Sequence, residues 1–397
     1  DILRTAVLWE GLPEPVQVVW REAPLVVEEV SLDGAAGDVA QQLAARFDPR
    51  RYRLDVRKAP LLRVYIAHDC GSARWVMLLL YHHLTVDHTT AEVIQQEIQA
   101  HLLDRAGELP APLPFRNFVA QARLGIAREE HEAFFGKLLG DVDEPTAPFG
   151  LVDVRGDGTG VAESRRPVDA QLARRLREKA RALGVSAASL CHLAWAQVLA
   201  RVSGRDDVVF GTLLFGRMQG GAGADRVLGP FINTLPVRIR VGEDSVQDAV
   251  RHTHVQLAQL LRHEHAPLSL AQRCSAVAAP APLFSALLNY RHSAGAAQVP
   301  AGAHQAWEGV ESLGVEERTN YPFVLSVDDL GEGFGLSAQV QSPLDPARIC
   351  TYMHRALEEL VGALESAPSA PLRSLDVLPA AERHRLLEEW NRTGAAY

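Results

Sequence analysis

An α+β protein of two lobes is what this sequence predicts, on three observations. Its 397 residues suffice to bury two separate cores. Apolar runs at 61–66 and 75–81 read as antiparallel strands joined across a turn at 69–71, with helical stripes before and after the centre of the chain. Between 141 and 160, Asp, Pro and Gly cluster and periodicity fades, which places the lobe boundary there. The lobes are accordingly set at 1–145 and 146–375, with 376–397 as a trailing linker.

Taken in order, residues 6–9 and 16–20 read as strands around the turn marked by Pro13 and Pro15. The strand at 61–66 follows Ala59-Pro60, and 75–81 is apolar almost throughout, as in a strand buried on both faces or against a second layer. Downstream, Thr89 stands three residues before Glu92 as a capping box, and Ala91, Ile94, Ile98 and Leu102 recur at helical spacing along one apolar stripe. Prolines alternating with apolar residues over 109–114 mark an ordered connector. In the second lobe, Asp169 is the N-cap of a helix with buried stripe Leu172, Leu176, Ala180 and Leu183 and with Gly184 as its stop. Residues 186–202, including Trp195, form a more thoroughly apolar helix, hence a buried one. Val208-Val209-Phe210 is a central strand ended by Gly211. The Gly-rich stretch 216–223 has neither the Gly-Lys-Ser/Thr of a phosphate loop nor the glycine spacing of a dinucleotide site, and reads as a flexible surface loop. The Ala-rich segment 293–305 reads as a mobile excursion.

Composition narrows the function. A hydrophobic fraction of 47% and a charged fraction of 22% are those of a folded globular protein. The formal net charge of -9, with arginines scattered along helices, argues against a nucleic-acid surface. Cys70, Cys191, Cys274 and Cys350 lie far apart and read as reduced cytosolic thiols. No apolar run approaches the roughly 18 residues that cross a bilayer, and the first residues carry no basic-then-apolar signal. A soluble cytoplasmic protein without nucleic-acid or membrane partners is therefore expected. The chain enters a strand pattern at once and without an initiator Met, as a piece cut from a longer polypeptide would.

His82, His83 and Asp87 stand in a His-His-x-x-x-Asp run where an apolar strand stops and a helix begins, a place suited to holding an imidazole still. Side chains alternate along an extended strand, so the two histidines cannot both serve one reacting atom unless the chain has already bent, and one of them acts. An imidazole with a pKa of about 6.5 can take a proton from an amine or hydroxyl near neutral pH, or hold that group by a hydrogen bond. Asp87 is placed to fix a tautomer or to pair with a cation that shapes the turn. The bland alternative is a hydrogen-bonded structural histidine, and two histidines with a spaced Asp weigh against it. Zinc helices present His at i and i+4, whereas this pair is adjacent and no cysteine lies in a C-x-x-C, so no metal is expected.

These residues resemble the active-site motif of condensation domains of nonribosomal peptide synthetases, and other segments agree in the expected order. Leu3-Arg4-Thr5 resembles the end of that family's early Arg-His-Glu-x-Leu-Arg-Thr motif, and Phe115-Arg116-Asn117-Phe118 lies where the family has a Tyr-x-Asp-Phe element. Asp206-Asp207-Val208-Val209-Phe210-Gly211-Thr212 through Gly216-Arg217 is similar to the second lobe's strand and Gly-Arg turn. Leu228-Gly229-Pro230-Phe231-Ile232-Asn233-Thr234-Leu235-Pro236 resembles the Ile-Gly-x-Phe-Val-Asn-Thr element, and Leu378-Pro379 to Trp390-Asn391-Arg392-Thr393 resembles the linker entering an adenylation domain. The resemblance implies a pseudodimer of two chloramphenicol-acetyltransferase-like lobes, each a largely antiparallel or mixed sheet with helices, meeting in a V around a central tunnel. Upstream donor and downstream acceptor carrier proteins would each deliver a thioester on a phosphopantetheine arm, the domain itself binding no cofactor. Carried over, His83 is the catalytic residue that orients or deprotonates the acceptor amine, and His82 and Asp87 are structural. Asp87 is expected to pair with an arginine of the early motif lying just before Asp1. Arg217 and Asn233 are second-lobe candidates near the tunnel, with Asn289, Tyr290, Asn320 and Tyr321 as further ones; a structural role competes for each.

Two departures stand out. The family usually has Gly after the motif Asp, whereas His88 occupies that place, adding bulk and a second titratable group beside His83. With Thr89 and Thr90 after it, His88 points to a subtype that also epimerises the donor, or to nothing more than a repacked helix start. The late Arg-Asp-x-Ser-Arg-Asn-Pro-Leu motif is poorly kept, with residues 278–283 in its place. Two other classes compete: a noncatalytic recruitment platform, disfavoured by the intact His pair and Asp, and a free-standing coenzyme A-dependent acyltransferase, disfavoured by the Trp390-Asn391 linker.

Overall fold

The computed structural model describes residues 1–49, 51–156, 158–217, 223–292, 307–314 and 319–392. Segment 293–305 and residues 218–222 of the Gly-rich stretch lie outside this set. The chain forms two compact α+β units: the first takes Asp1–Gly125, Phe215–Ile232 and Pro300–Gly314, and the second Ile126–Leu214, Asn233–Val299 and Val315–Tyr397.

In the first unit, β1 (Thr5–Leu8) and β2 (Val16–Val19) form an antiparallel pair with Thr5 opposite Val19 and Leu8 opposite Val16. A separate three-stranded sheet runs β3-β4-β5, with β3 at Val27–Glu29, β4 at Leu62–Asp69 and β5 at Arg74–Tyr81. Strands β4 and β5 are antiparallel in a register that sets Leu62 against Tyr81 and Asp69 against Arg74, as the sequence predicts for this hairpin. Helix α1 (Val39–Arg46), capped by the Asp38 carboxylate on Gln41 N, covers one face of the sheet. Its Val39 and Leu43 join Val30, Phe47, Tyr65 and Ala67 in a small core, onto which Val76, Leu78 and Leu80 pack. Phe47 stacks on Tyr65 at 3.6 Å between ring centroids. Because side chains alternate, Trp75, Met77 and Leu79 take the other face of β5, where they are exposed. The apolar run therefore does not mark a strand covered on both sides. Helices α2 (His88–Leu102) and α3 (Arg116–Leu124) complete the unit.

The second unit is built on a six-stranded mixed sheet of order β6-β11-β10-β9-β7-β8. These strands are Val161–Pro167, Asp207–Leu214, Asn233–Arg240, Ala286–His292, Phe323–Asp329 and Phe334–Gln341, numbered β6 to β11 in chain order. Pairings are antiparallel except those of β9 with β7 and β10. Its helices are α4 (Arg128–Leu139), α5 (Ala170–Leu183), α6 (Ala187–Ser203), α7 (Val246–Arg262), α8 (Leu268–Arg273), α9 (Pro346–Ser366) and the short α10 (Ala380–His384). Helix α5 has the predicted ends: Asp169 accepts from the backbone of Gln171 and Leu172, and Gly184 closes it at φ 66. Leu172, Leu176 and Ala180 are buried as the stripe requires. Helix α6 is buried over most of its length, and Trp195 stacks on Phe323 of β10 at 5.5 Å. Gly211 does not end β7 but sits within it: a Cβ there would stand 2.4 Å from Leu287 Cδ2 and 2.5 Å from Phe284 Cε2. This glycine marks a close approach of neighbours rather than a stop. No single described helix is long and apolar enough to cross a membrane.

His192 on α6 gives this core a pH dependence. Its Nδ1–H donates to Ala188 O at 2.7 Å, and Nε2 lies 2.8 Å from the Thr212 hydroxyl, which can donate to it when the ring is neutral. Burial lowers its pKa to about 4. A histidine depressed in the folded state is fully compatible with folding above its ordinary pKa of about 6.5, and its stability contribution is lost as pH falls from there toward 4. Going from pH 7 to pH 5 should therefore remove about 2 kcal/mol of stability through this group. Urea unfolding of wild type and His192→Gln at both pH values checks this; equal pH dependence in the two would contradict it.

Candidate active site

The turn between β5 and α2 carries the His-His-x-x-x-Asp run. His82 organises it through both backbone and side chain. Its N–H donates to Leu61 O at 3.1 Å, extending the β4–β5 ladder, while its carbonyl accepts from Thr85 N at 3.0 Å, Val86 N at 3.3 Å and Thr85 Oγ1 at 3.1 Å. The ring Nδ1 accepts from Leu84 N at 3.1 Å. Burial lowers the His82 pKa, helped by the neighbouring His83 and Arg53 charges, which favours the neutral ring that this bond needs.

His83 lies on the exposed side of the same turn. Its Nδ1 is 3.0 Å from Val86 O. A carbonyl can only accept, so Nδ1 carries the proton and the basic lone pair lies on Nε2. The turn thus fixes the tautomer suited to taking a proton, or to holding an amine through Nε2. Tyr81, the last residue of β5, packs edge-on to the His83 ring at 6.2 Å.

Asp87 is buried and joins several elements. One carboxylate oxygen accepts from Thr90 N at 2.7 Å, which makes Asp87 the N-cap of α2. Phe231 N donates to the other at 3.2 Å. Arg217 Nη2 lies 3.0 and 3.1 Å from the two oxygens. Arg217 Nη1 donates to Ala224 O and Val227 O, each at 2.8 Å, and the guanidinium lies 4.0 Å from the Phe231 ring centroid. Among the described residues, Arg217 is thus the arginine that pairs with Asp87, and it belongs with the first unit through segment Phe215–Ile232; the expected early-motif arginine lies outside this sequence. The capping-box reading is corrected: Asp87, not Thr89, caps the helix. These polar bonds also set the rotation of α2. Thr90, Val93 and Gln99 face inward, whereas Ile98 and Leu102 of the expected stripe are exposed.

Sequence reasoning missed three further supports. Thr90 Oγ1 donates to Gly229 O at 3.0 Å and accepts from Gly229 N at 2.9 Å. Gly229 has φ +148, and a Cβ there would stand 2.1 Å from Phe115 Cδ2, so no other residue fits. Phe115 and Phe118 pack on Phe231 at 5.4 and 4.2 Å. The Asp1 carboxylate accepts from Phe115 N at 3.0 Å and Arg116 N at 3.4 Å, capping α3 from the far end of the sequence. The signals were present in Leu228-Gly229-Pro230 and in the Phe115/Phe118 pair, but they mark contacts remote in sequence.

His88 starts α2 and pairs with Glu92 one turn on, at 3.3 Å and with both side chains exposed. The other candidates lie in the second unit, each with its own surroundings. Asn233 donates through Nδ2 to Glu264 O at 2.7 Å and Ala266 O at 2.8 Å, holding the turn after α7. Tyr290 donates to Asp329 Oδ2 at 2.6 Å, and Asp329 also pairs with Arg177 at 2.5 Å. Burial raises the Tyr290 pKa, as it does that of Tyr321. Asn289, on β9, keeps a buried Oδ1 without a hydrogen-bond partner among the described residues, and Asn320 donates to Val154 O.

Comparison with known proteins agrees with this arrangement. A family model described as "Condensation domain" matches residues 1–387. Malpibaldin synthetase from Mortierella alpina is 51% identical over 397 residues, 100% of this chain and 7% of that protein. Malpinin synthetase from the same organism is 52% identical over 397 residues, again 100% of this chain and 5% of that protein. The chain therefore spans only a small part of these relatives. Among solved structures, the X-domain from teicoplanin biosynthesis superposes with a TM-score of 0.69 at 18% identity, covering 95% of this chain and 86% of that one. The first condensation domain of the CDA synthetase gives 0.67 at 18% identity, covering 96% of this chain and 87% of that one. A match over nearly all of the residues, on the fold and His motif described above, places this chain in the condensation-domain family of nonribosomal peptide synthetases.

Proposed function

We propose that the domain forms an amide between a donor acyl or peptidyl thioester and the amine of an acceptor aminoacyl thioester, both carried on phosphopantetheine arms of carrier proteins. The observation that supports this most is the His83 turn, whose Nδ1 bond to Val86 O leaves the basic lone pair on Nε2. The acceptor nitrogen attacks the donor carbonyl, a C–N bond forms, the C–S bond breaks, and the donor arm leaves as a thiol. His83 Nε2 holds the amine in line or takes the proton that the nitrogen must lose, and that proton ends on the departing sulfur. Holding both thioesters in one place turns a bimolecular aminolysis into a positioned one, worth several orders of magnitude.

Arg217, Asp87 and Thr90 take no part in the chemistry on this reading; they hold the turn. An adjoining adenylation domain is the neighbour that the segment through Trp390-Asn391 fits. Offering the donor either on a carrier protein or as a coenzyme A thioester, with the acceptor on a second carrier, tests the proposal. Amide formed from the carrier-bound donor is the expected result. Product from coenzyme A alone would instead indicate a free-standing acyltransferase, and no product from either donor a recruitment platform. Donor α-carbon exchange in heavy water, compared between wild type and His88→Gly, tests the epimerising subtype.

A further inference from the structure

Thr90 is fully buried in the first turn of α2. Its hydroxyl grips both backbone groups of Gly229, donating to the carbonyl at 3.0 Å and accepting from the N–H at 2.9 Å. Arg217 Nη2 approaches the same oxygen at 3.4 Å. A hydroxyl can donate and accept through one atom, whereas the similarly shaped valine side chain can do neither. Gly229 in turn has nowhere to go, because its φ of +148 and the Phe115 ring beside it fix the backbone. Helix α2 and the segment leading to Phe231 are thus fastened at one point.

That point lies close to the His83 imidazole through bonded links. Thr90 N donates to Asp87, Asp87 follows Val86, and Val86 O holds His83 Nδ1. If the first turn of α2 slides relative to Gly229, Val86 O moves with it and the direction of Nε2 changes.

We propose that Thr90 is a positioning residue: by clasping Gly229 it fixes the aim of His83 Nε2, and so sets kcat rather than substrate affinity. This rests on the condensation reading above. Since misplacing a reacting group by about 1 Å can lower a rate about 100-fold, Thr90→Val should reduce kcat by about 10- to 100-fold. KM for the two loaded carriers should stay within about twofold, because the clasp does not contact them, and Thr90→Ser should restore most of kcat because it keeps the hydroxyl. Nitrogen NMR of the His83 ring supplies a second readout: wild type should show the Nδ1-protonated tautomer, and Thr90→Val a shifted or mixed one. Thr90→Ala serves if the valine variant does not fold. Unchanged kcat in both hydroxyl-free variants, or loss in Thr90→Ser as deep as in Thr90→Val, would overturn the proposal. Should wild type itself form no amide, the condensation reading fails, and the ring spectrum alone decides the clasp; an unchanged spectrum in Thr90→Val rejects it.

Discussion

His83→Ala is expected to lower the amide-forming rate with two loaded carriers by about 100- to 10,000-fold, the range lost with a positioned acid or base. The fold should survive, because the ring is exposed and its hydrogen bond to Val86 O is replaceable by water. A loss in kcat with little change in KM would locate the role in the transition state. His82→Ala should behave differently. His82 Nδ1 accepts from Leu84 N, so its removal loosens the turn and lowers stability together with rate. Steady-state kinetics and thermal unfolding of both variants separate the two roles; equal behaviour would contradict the division drawn here.

The second large effect is on stability. Arg217→Ala leaves the Asp87 carboxylate buried and without its cation, which costs about 3–5 kcal/mol when one partner of a buried pair is removed. The side chains of Arg217 and Asp87 are 11% and 5% exposed, so solvent cannot take over the missing charge. Adding Asp87→Asn to Arg217→Ala should recover part of the loss, because the neutral amide keeps an acceptor for Thr90 N and removes the orphan charge. A double-mutant cycle by urea unfolding measures the coupling. Losses below about 1 kcal/mol, the range of exposed pairs, or strict additivity would show that the pair does not hold the turn.

How far the sequence revealed this molecule depends on whether the deciding interactions were local. The β4–β5 hairpin and the two ends of α5 were readable, because alternation, Asp169 and Gly184 act on neighbours within a few residues. Helix α1 and strand β3 escaped notice: each is short, and they are stabilised by packing on β4 and β5 rather than by strong periodicity of their own. At α2 the apolar stripe misled, since buried bonds from Asp87 and Thr90 turn the helix so that Ile98 and Leu102 face outward. Three residues in this stretch, Asp87, Thr89 and Thr90, are chemically able to cap a helix, and only the Arg217 and Phe231 partners single out Asp87.

The candidate site follows the same rule. The His82–Asp87 turn is a local motif and stands out in the sequence. The pairing of Asp87 with Arg217 crosses 130 residues, and nothing local to either residue announces it. Gly211 and Gly229 were visible as glycines, but the reasons for them lie in remote rings and side chains: Leu287 and Phe284 in one case, Phe115 in the other.

The most direct test follows the acyl group itself. Donor-loaded and acceptor-loaded carrier proteins are mixed with stoichiometric domain, and the phosphopantetheine arms are weighed by mass spectrometry over a single turnover. The donor mass should move to the acceptor arm as an amide with wild type and stay on the donor arm with His83→Ala. Transfer at equal rates with both proteins, or no transfer with wild type, would contradict this.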